Sequence, residues 1–271
     1  MTRRVKSKTV RKSMRLVTGL AVGLSVLVLT ASFLWHQRLE MKKQVSVSPP
    51  ESSRTVEDRI AGFGHKVNAR LQPAFQSAGV LFPPPKMLWV AFKEERQLHI
   101  LAGTSEGPWI PVLSYQIEGA SGGPGPKLRE GDRQVPEGNY SLELLNPNSR
   151  FHVSIRIGYP GLHDLARARS EGRCENSLGG DIMIHGGSAS IGCLAMGDEA
   201  AEELFALAHA TGLESIELLI TPRDLRDGVM PQLSANAPSW TLELHEEIRS
   251  QLEMLPIPRP AVAESFVKDD Q

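Results

Sequence analysis

One stretch divides this chain in two. Leu16 to Trp35 is an uncharged run of 20 residues, LVTGLAVGLSVLVLTASFLW. As a helix it would be about 30 Å long, the thickness of a bilayer's hydrocarbon core. Seven bases precede it (Arg3, Arg4, Lys6, Lys8, Arg11, Lys12 and Arg15), with no acid among residues 1–15. Bases on that flank set an N-terminus in the cytoplasm and the remainder outside, with Trp35 at the far interface. A buried core helix has no use for such a flank. Two readings remain: an uncleaved transmembrane anchor, or a cleaved signal segment. The run is longer than a signal core, and "LTAS" around Ala31 is a poor small-residue cleavage site, so the sequence favours the anchor. The Arg3-Arg4 pair lacks the flanks of a twin-arginine signal. The chain is therefore expected at the inner membrane, single-pass, with its body in the periplasm, or free there if the signal is cleaved.

Charge sharpens the division. The whole chain carries −1, so removing those seven bases leaves −8 on the rest. An acidic body excludes a general nucleic-acid binder, which needs clustered Lys and Arg to neutralise phosphates. An exported body also has no ATP supply, and the sequence holds no G-x-x-x-x-G-K-[ST] loop. With 24 Gly and 19 Pro the body is rich in turns, which argues against a coiled coil or a plain helix bundle. Residues 36–54, with Pro49-Pro50 and scattered Ser, read as a linker. The expected order is a basic segment at 1–15, the membrane segment at 16–35, that linker, a globular domain at 55–222 and a helical extension with a loose tail at 223–271.

Within the domain, Val56, Ile60, Phe63, Val67, Leu71 and Phe75 have helical spacing behind a Thr55/Asp58 capping box, and Pro83-Pro84-Pro85 is expected to end that helix. Strand-like runs follow at 88–92, 97–101, 110–117, 140–145, 151–158, 182–185 and 216–220. Gly119–Pro126 (GASGGPGP) is a long loop without the strand–GxGxxG–helix context of a phosphate cradle. Helices are expected at 198–210 and 239–255. The fold is thus mainly β with peripheral helices.

The chemistry-bearing residues cluster between Gly180 and Cys193. A strand ends at His185, Gly186-Gly187 let the chain turn, and seven residues separate His185 from Cys193. An imidazole beside a thiol can take its proton and stabilise the thiolate. Gly192 leaves room for a carbonyl to approach, and the Cys193 backbone N–H is a candidate oxyanion donor. Chance proximity or a structural cysteine fits the bare spacing equally well. The other cysteine is Cys174, and one disulfide is the default for two cysteines in an exported domain. A metal site is the remaining reading of His185 and Cys193, but HExxH and CxxC are both missing and zinc needs at least three protein ligands. No metal and no cofactor are expected.

These residues also carry a family resemblance. Ser190-x-Gly192-Cys193-x-Ala195-Met196 follows Ile184-His185-Gly186. Upstream, in order, stand Phe92-Lys93-Glu94-Glu95, Gly125-Pro126-Lys127-Leu128-Arg129-Glu130-Gly131-Asp132, Pro136-Glu137-Gly138-Asn139-Tyr140, Asn146-Pro147-Asn148-Ser149-Arg150-Phe151 and Ile157-Gly158-Tyr159-Pro160. Together they resemble the L,D-transpeptidase (YkuD fold) family, and within it the YafK-like murein L,D-transpeptidases, over about residues 60–222. The resemblance implies a β-sandwich-like catalytic domain acting on peptidoglycan stem peptides. It implies that a cysteine attacks the carbonyl of the L-centre of the third stem residue, usually diaminopimelate, and expels the terminal D-residue. An amine then resolves the thioester to an amide, or water hydrolyses it.

Carried over residue by residue, Cys193 takes the nucleophile position and His185 the general-base position. Ser190, Gly192 and Gly186 support the loop and oxyanion, and a backbone carbonyl near Gly186 orients the imidazole. Arg129, Arg133, Arg156 and Arg173 are candidates for a substrate carboxylate, which arginine binds as a fork. Tyr159 is a further candidate for substrate contact, and Asp164, like Tyr159, could equally hold the loop. Many family members read S-H-G-C, whereas Ile191 stands here, so His185 serves alone. One YafK-like branch cuts the link between peptidoglycan and an attached lipoprotein, which leaves the thioester's fate open. A catalytically inactive peptidoglycan-binding module is the competing class. Cys174 maps onto nothing in the family; a reversible disulfide with Cys193 would switch such an enzyme off.

Overall fold

The structure is a computed structural model that describes residues 53–103 and 107–259. The expected basic segment, membrane segment and nearly all of the linker lie outside the described residues. Among the described residues no helix is long and apolar enough to cross a membrane.

Helix α1 (Val56–Ser77) starts where the capping box puts it: Thr55 Oγ1 accepts the Asp58 N–H at 3.1 Å, and Asp58 Oδ2 accepts the Thr55 N–H at 2.7 Å. Phe63, Val67, Leu71 and Phe75 bury one stripe of it. The helix stops before the expected proline run. Gly79 adopts φ +70°, and the Val80 N–H returns to the Phe75 carbonyl at 2.9 Å, which closes a left-handed C-terminal cap.

Nine strands follow: β1 (Lys86–Phe92), β2 (Gln97–Gly103), β3 (Ile110–Gln116), β4 (Gly119–Ala120), β5 (Gly138–Asn146), β6 (Ser154–Ile157), β7 (Met183–His185), β8 (Leu194–Ala195) and β9 (Ile216–Thr221). Helix α2 (Leu162–Ser170) lies between β6 and β7, α3 (Asp198–Thr211) precedes β9, and α4 (Thr241–Glu253) comes last. The sheet order is β3-β2-β1-β9-β5-β6-β7-β8-β4. Only β1–β9 and β7–β8 pair in parallel.

A sandwich-like arrangement is expected from the resemblance; the structure has a curled sheet whose two halves, β3-β2-β1-β9 and β6-β7-β8-β4, are joined through β5. Its residues 138–141 pair with β9 and its residues 142–146 with β6, across an irregularity between Leu142 and Leu144. Such a break bends a strand and increases its twist, so the sheet curls as β5 passes from one half to the other.

Side-chain alternation places the helices. Met87, Trp89 and Ala91 of β1 join the core formed with α1 and α3, while Leu88, Val90 and Phe92 face the opposite way. That second face is covered by Leu244, Ile248 and Leu252 of α4. The C-terminal helix therefore closes the sheet. The expected strand at 151–158 shortens to β6, because His152 adopts φ +71° and the chain is still turning there.

Candidate active site

Strands β7 and β8 run side by side, His185 level with Ala195 and Ile184 level with Leu194. Cys193, immediately before β8, is therefore level with Met183. One diagonal step on the sheet separates it from His185. The Met183 N–H donates to Cys193 Sγ at 3.4 Å, and Sγ lies 3.9 Å from the Asp181 carbonyl oxygen. His185 and Cys193 share no direct hydrogen bond.

His185 is only 3% exposed. Its Nδ1 lies 2.6 Å from the Gly186 carbonyl oxygen, so Nδ1 carries the proton and the neutral ring keeps its lone pair on Nε2. Phe151 stacks on the ring, centroids 4.7 Å apart and planes 29° from parallel. Gly186 is required by contact: a Cβ there would sit 2.5 Å from Asp198 Oδ1 and 2.8 Å from the Phe151 carbonyl oxygen. Asp198, the first residue of α3, also accepts the Gly187 N–H at 2.9 Å.

Burial pushes the Cys193 thiol above its ordinary value; the Met183 N–H and the Lys127 charge oppose this without reversing it, and Asp181 adds to it. Burial likewise pushes the His185 imidazole down, against the pull of the Gly186 carbonyl. Both shifts favour the neutral forms. A thiol used as a nucleophile here would have to pass its proton to a neighbouring base, as the pairing of imidazole and thiol in the sequence suggests.

The loop between them is tied by one hydroxyl. Ser190 Oγ donates to the Cys193 carbonyl at 2.7 Å and accepts N–H groups from Cys193 and Ser121 at 3.2 Å and from Gly192 at 3.3 Å. The Cys193 N–H, the expected oxyanion donor, is thus directed at Ser190 Oγ in this structure. Gly192 adopts φ +129°, a region that disfavours any side chain.

Residues 90–216 match the family model of the L,D-transpeptidase catalytic domain, YkuD. The chain is 38% identical over 144 residues to the Escherichia coli K12 protein YafK, named provisionally as an L,D-transpeptidase; the match covers 51% of this chain and 55% of YafK. The chain thus spans about half the length of the curated relatives it matches. Among solved structures it is similar to the helical cell shape determining protein Pgp2 (K307A mutant) from Campylobacter jejuni, at 18% identity and TM-score 0.40, covering 62% of this chain and 56% of that one. It is also similar to Mycobacterium tuberculosis L,D-transpeptidase 1, at 13% identity and TM-score 0.29, covering 50% and 62%.

The other expected residues are scattered around the thiol. Tyr159 and Arg173 hold the segment before it: the Tyr159 hydroxyl donates to the Lys127 carbonyl at 3.1 Å, and Arg173 Nη1 donates to the Leu128 carbonyl at 2.9 Å while its head pairs with Glu171. Arg129 and Arg133 are exposed, and Arg133 contributes its carbonyl to the Ser121 hydroxyl at 2.8 Å. Asp164, buried, takes the Gly161 N–H at 2.8 Å and the Tyr140 hydroxyl at 3.4 Å. Arg156 pairs with Asp181 at 2.8 Å. Both line a cavity of about 430 Å³ with Glu143, Tyr159, Pro160 and Glu175. Asp181 lines that cavity while its carbonyl oxygen lies 3.9 Å from Cys193 Sγ, which is not itself part of the lining.

Three residues of this surrounding were not singled out by the sequence: Phe151, Asp181 and the buried Lys127, which donates to Asp132 Oδ1 at 2.6 Å. Phe151 and Lys127 stand inside the family motifs, and Asp181 opens the stretch that ends at His185, so the signal was present without a role attached. Both cysteines are free thiols; Cys174 is exposed beside the short 3-10 turn Glu175–Ser177. Among the described residues no cluster of three or more His, Cys, Asp or Glu could hold a metal ion.

Proposed function

We propose that this chain is a cysteine-dependent L,D-transpeptidase that acts on peptidoglycan stem peptides through a thioester acyl-enzyme, in cell-wall biogenesis or remodelling. The carrying observation is the sulfur held by the Met183 N–H, one diagonal step from a histidine whose Nδ1 is committed to the Gly186 carbonyl. Cys193 Sγ attacks the donor carbonyl as its proton passes to His185 Nε2. Collapse of the tetrahedral intermediate expels the D-residue, whose amine takes that proton back. An acceptor amine then attacks the thioester and forms the new amide, leaving the thiol restored. The donor enters past Asp181, along the cavity bounded by Arg156 and Tyr159. Residues 16–35 anchor the chain in the inner membrane with this domain in the periplasm.

Incubation of the full-length chain with tetrapeptide muropeptides, read by mass spectrometry, tests the proposal. Cross-linked dimers or exchange of the terminal D-amino acid are expected, and Cys193→Ala is expected to yield neither. Loss of the D-residue alone, or release of a peptidoglycan-bound lipoprotein, assigns hydrolysis to the same thioester. Unchanged turnover by Cys193→Ala, or no product from the unaltered chain, contradicts it and leaves a binding module.

A further inference from the structure

The loop at 119–126 has almost no side chains with which to pack. Apart from the Ser121 hydroxyl, its backbone groups hold it: Gln134 Nε2 donates to the Gly123 carbonyl at 2.6 Å and to that of Gly125, and a buried charged cluster gathers the same carbonyls. Lys93, at the end of β1, sends its ammonium to the carbonyls of Gly123 at 2.8 Å, Val135 at 3.0 Å and Gly125 at 3.4 Å, and to Glu137 Oε1 at 2.9 Å. Glu137 Oε1 also takes the Gly125 N–H at 2.8 Å. The other carboxylate oxygen faces α4, where His245 Nε2 lies 2.7 Å away. The side chains of Lys93, Glu137 and His245 are 5%, 0% and 0% exposed.

Burying charges costs several kcal/mol each unless they are well paired, and an apolar cluster would fill the space as well. Apolar side chains, however, cannot hold carbonyls. The loop so held reaches the thiol. The Ser121 N–H donates to Ser190 Oγ, the hydroxyl that ties Cys193, and the Gln134 carbonyl oxygen abuts Gly192, 3.5 Å from where a Cβ would stand. His245 lies outside the matched stretch of 90–216, so the helix beyond the family domain contributes to this network.

We propose that His245 is a positioning residue for Cys193, aligning Glu137 so that the 119–137 loop, and through it the Ser190 hydroxyl, holds the sulfur in register. The role as a positioning residue rests on the acyl-transfer reading above; the control of the loop does not. His245→Gln keeps an amide N–H in reach of Glu137, whereas His245→Leu removes the donor and strands one carboxylate oxygen. Each full-length variant is compared by hydrogen exchange mass spectrometry and by the rate of Cys193 acylation per folded molecule. In His245→Leu, segments 119–126 and 187–193 are expected to exchange at least about tenfold faster while α1 and β1 keep their protection. Acylation is expected to slow by about 10- to 100-fold with little change in KM. His245→Gln restores both towards the unaltered chain. If His245→Leu does not fold, His245→Asn, whose shorter amide falls short of Glu137, takes its place with the same expectations. Unchanged loop exchange and acylation in a variant that merely melts earlier overturns the proposal. Should Cys193→Ala retain turnover, the acyl-transfer reading fails while the exchange result still decides the loop.

Discussion

The two ends of the sheet are built on different principles. Strands β1, β2 and β9 are six or seven residues long, and β1 and β9 are covered on both faces, by α1 and α3 on one side and α4 on the other. At the other end β7 has three residues and β8 and β4 have two each. That end is held largely by directed polar bonds: Ser190 Oγ to four backbone groups of the loops, Asp198 to Gly187, and the His185 ring to Gly186. Apolar burial accumulates with area, whereas each net hydrogen bond is worth about 0.5–1.5 kcal/mol. Stability therefore resides at the long-strand end and chemical alignment at the short-strand end. Substitutions at the two ends should separate folding from turnover.

The strongest break is expected at the short-strand end. His185→Gln removes the proton acceptor and should lower the acylation rate about 10²–10⁴-fold per folded molecule; a loss below tenfold would deny the ring its role as base. At the other end Leu71→Ala should cost about 2–5 kcal/mol of stability, read from a urea midpoint, with the acylation rate per folded molecule unchanged. A smaller effect is expected from Ser190→Ala. Freeing the bonds to that oxygen should cost about 1–2 kcal/mol of alignment, roughly a 5- to 30-fold slower acylation, with thermal stability almost unmoved. The pH dependence sharpens the contrast further. Because burial raises the thiol from its ordinary value of 9.0 and lowers the imidazole, alkylation of Cys193 should quicken about tenfold per pH unit through neutrality. A plateau near pH 7 would show a thiolate already formed.

The long-strand end was largely legible in the sequence, and the reason is physical. Val56, Ile60, Phe63, Val67, Leu71 and Phe75 announce α1 because one stripe of it is buried, and the Thr55/Asp58 box marks its start. The alternation of Leu98 and Ile100 marks β2 for the same reason. Strands β4 and β8 were not legible, since two residues carry no period and owe their form to their neighbours. Helix α2 was missed because it buries Asp164 and Ala168, not large apolar side chains. The curl of the sheet depends on a register shift in β5, which only long-range pairing creates. At the site, His185 and Cys193 stand out by type and spacing. Phe151 reaches the ring from a turn before β6, and the push of both groups towards their neutral forms comes from burial, which spacing does not encode. The roles of Glu137 and His245 were hidden likewise: 108 residues separate them, and only the closed fold brings them into contact.

The most direct test of the account is the intact mass of the full-length chain after brief exposure to a tetrapeptide muropeptide donor, with peptide mapping of any adduct. The account predicts a mass increase equal to the donor less its terminal D-residue and one proton of the thiol, carried on Cys193 alone and discharged by an added amine. An adduct on any other residue, or product formation with no adduct at Cys193 even under rapid acid quenching, would contradict it.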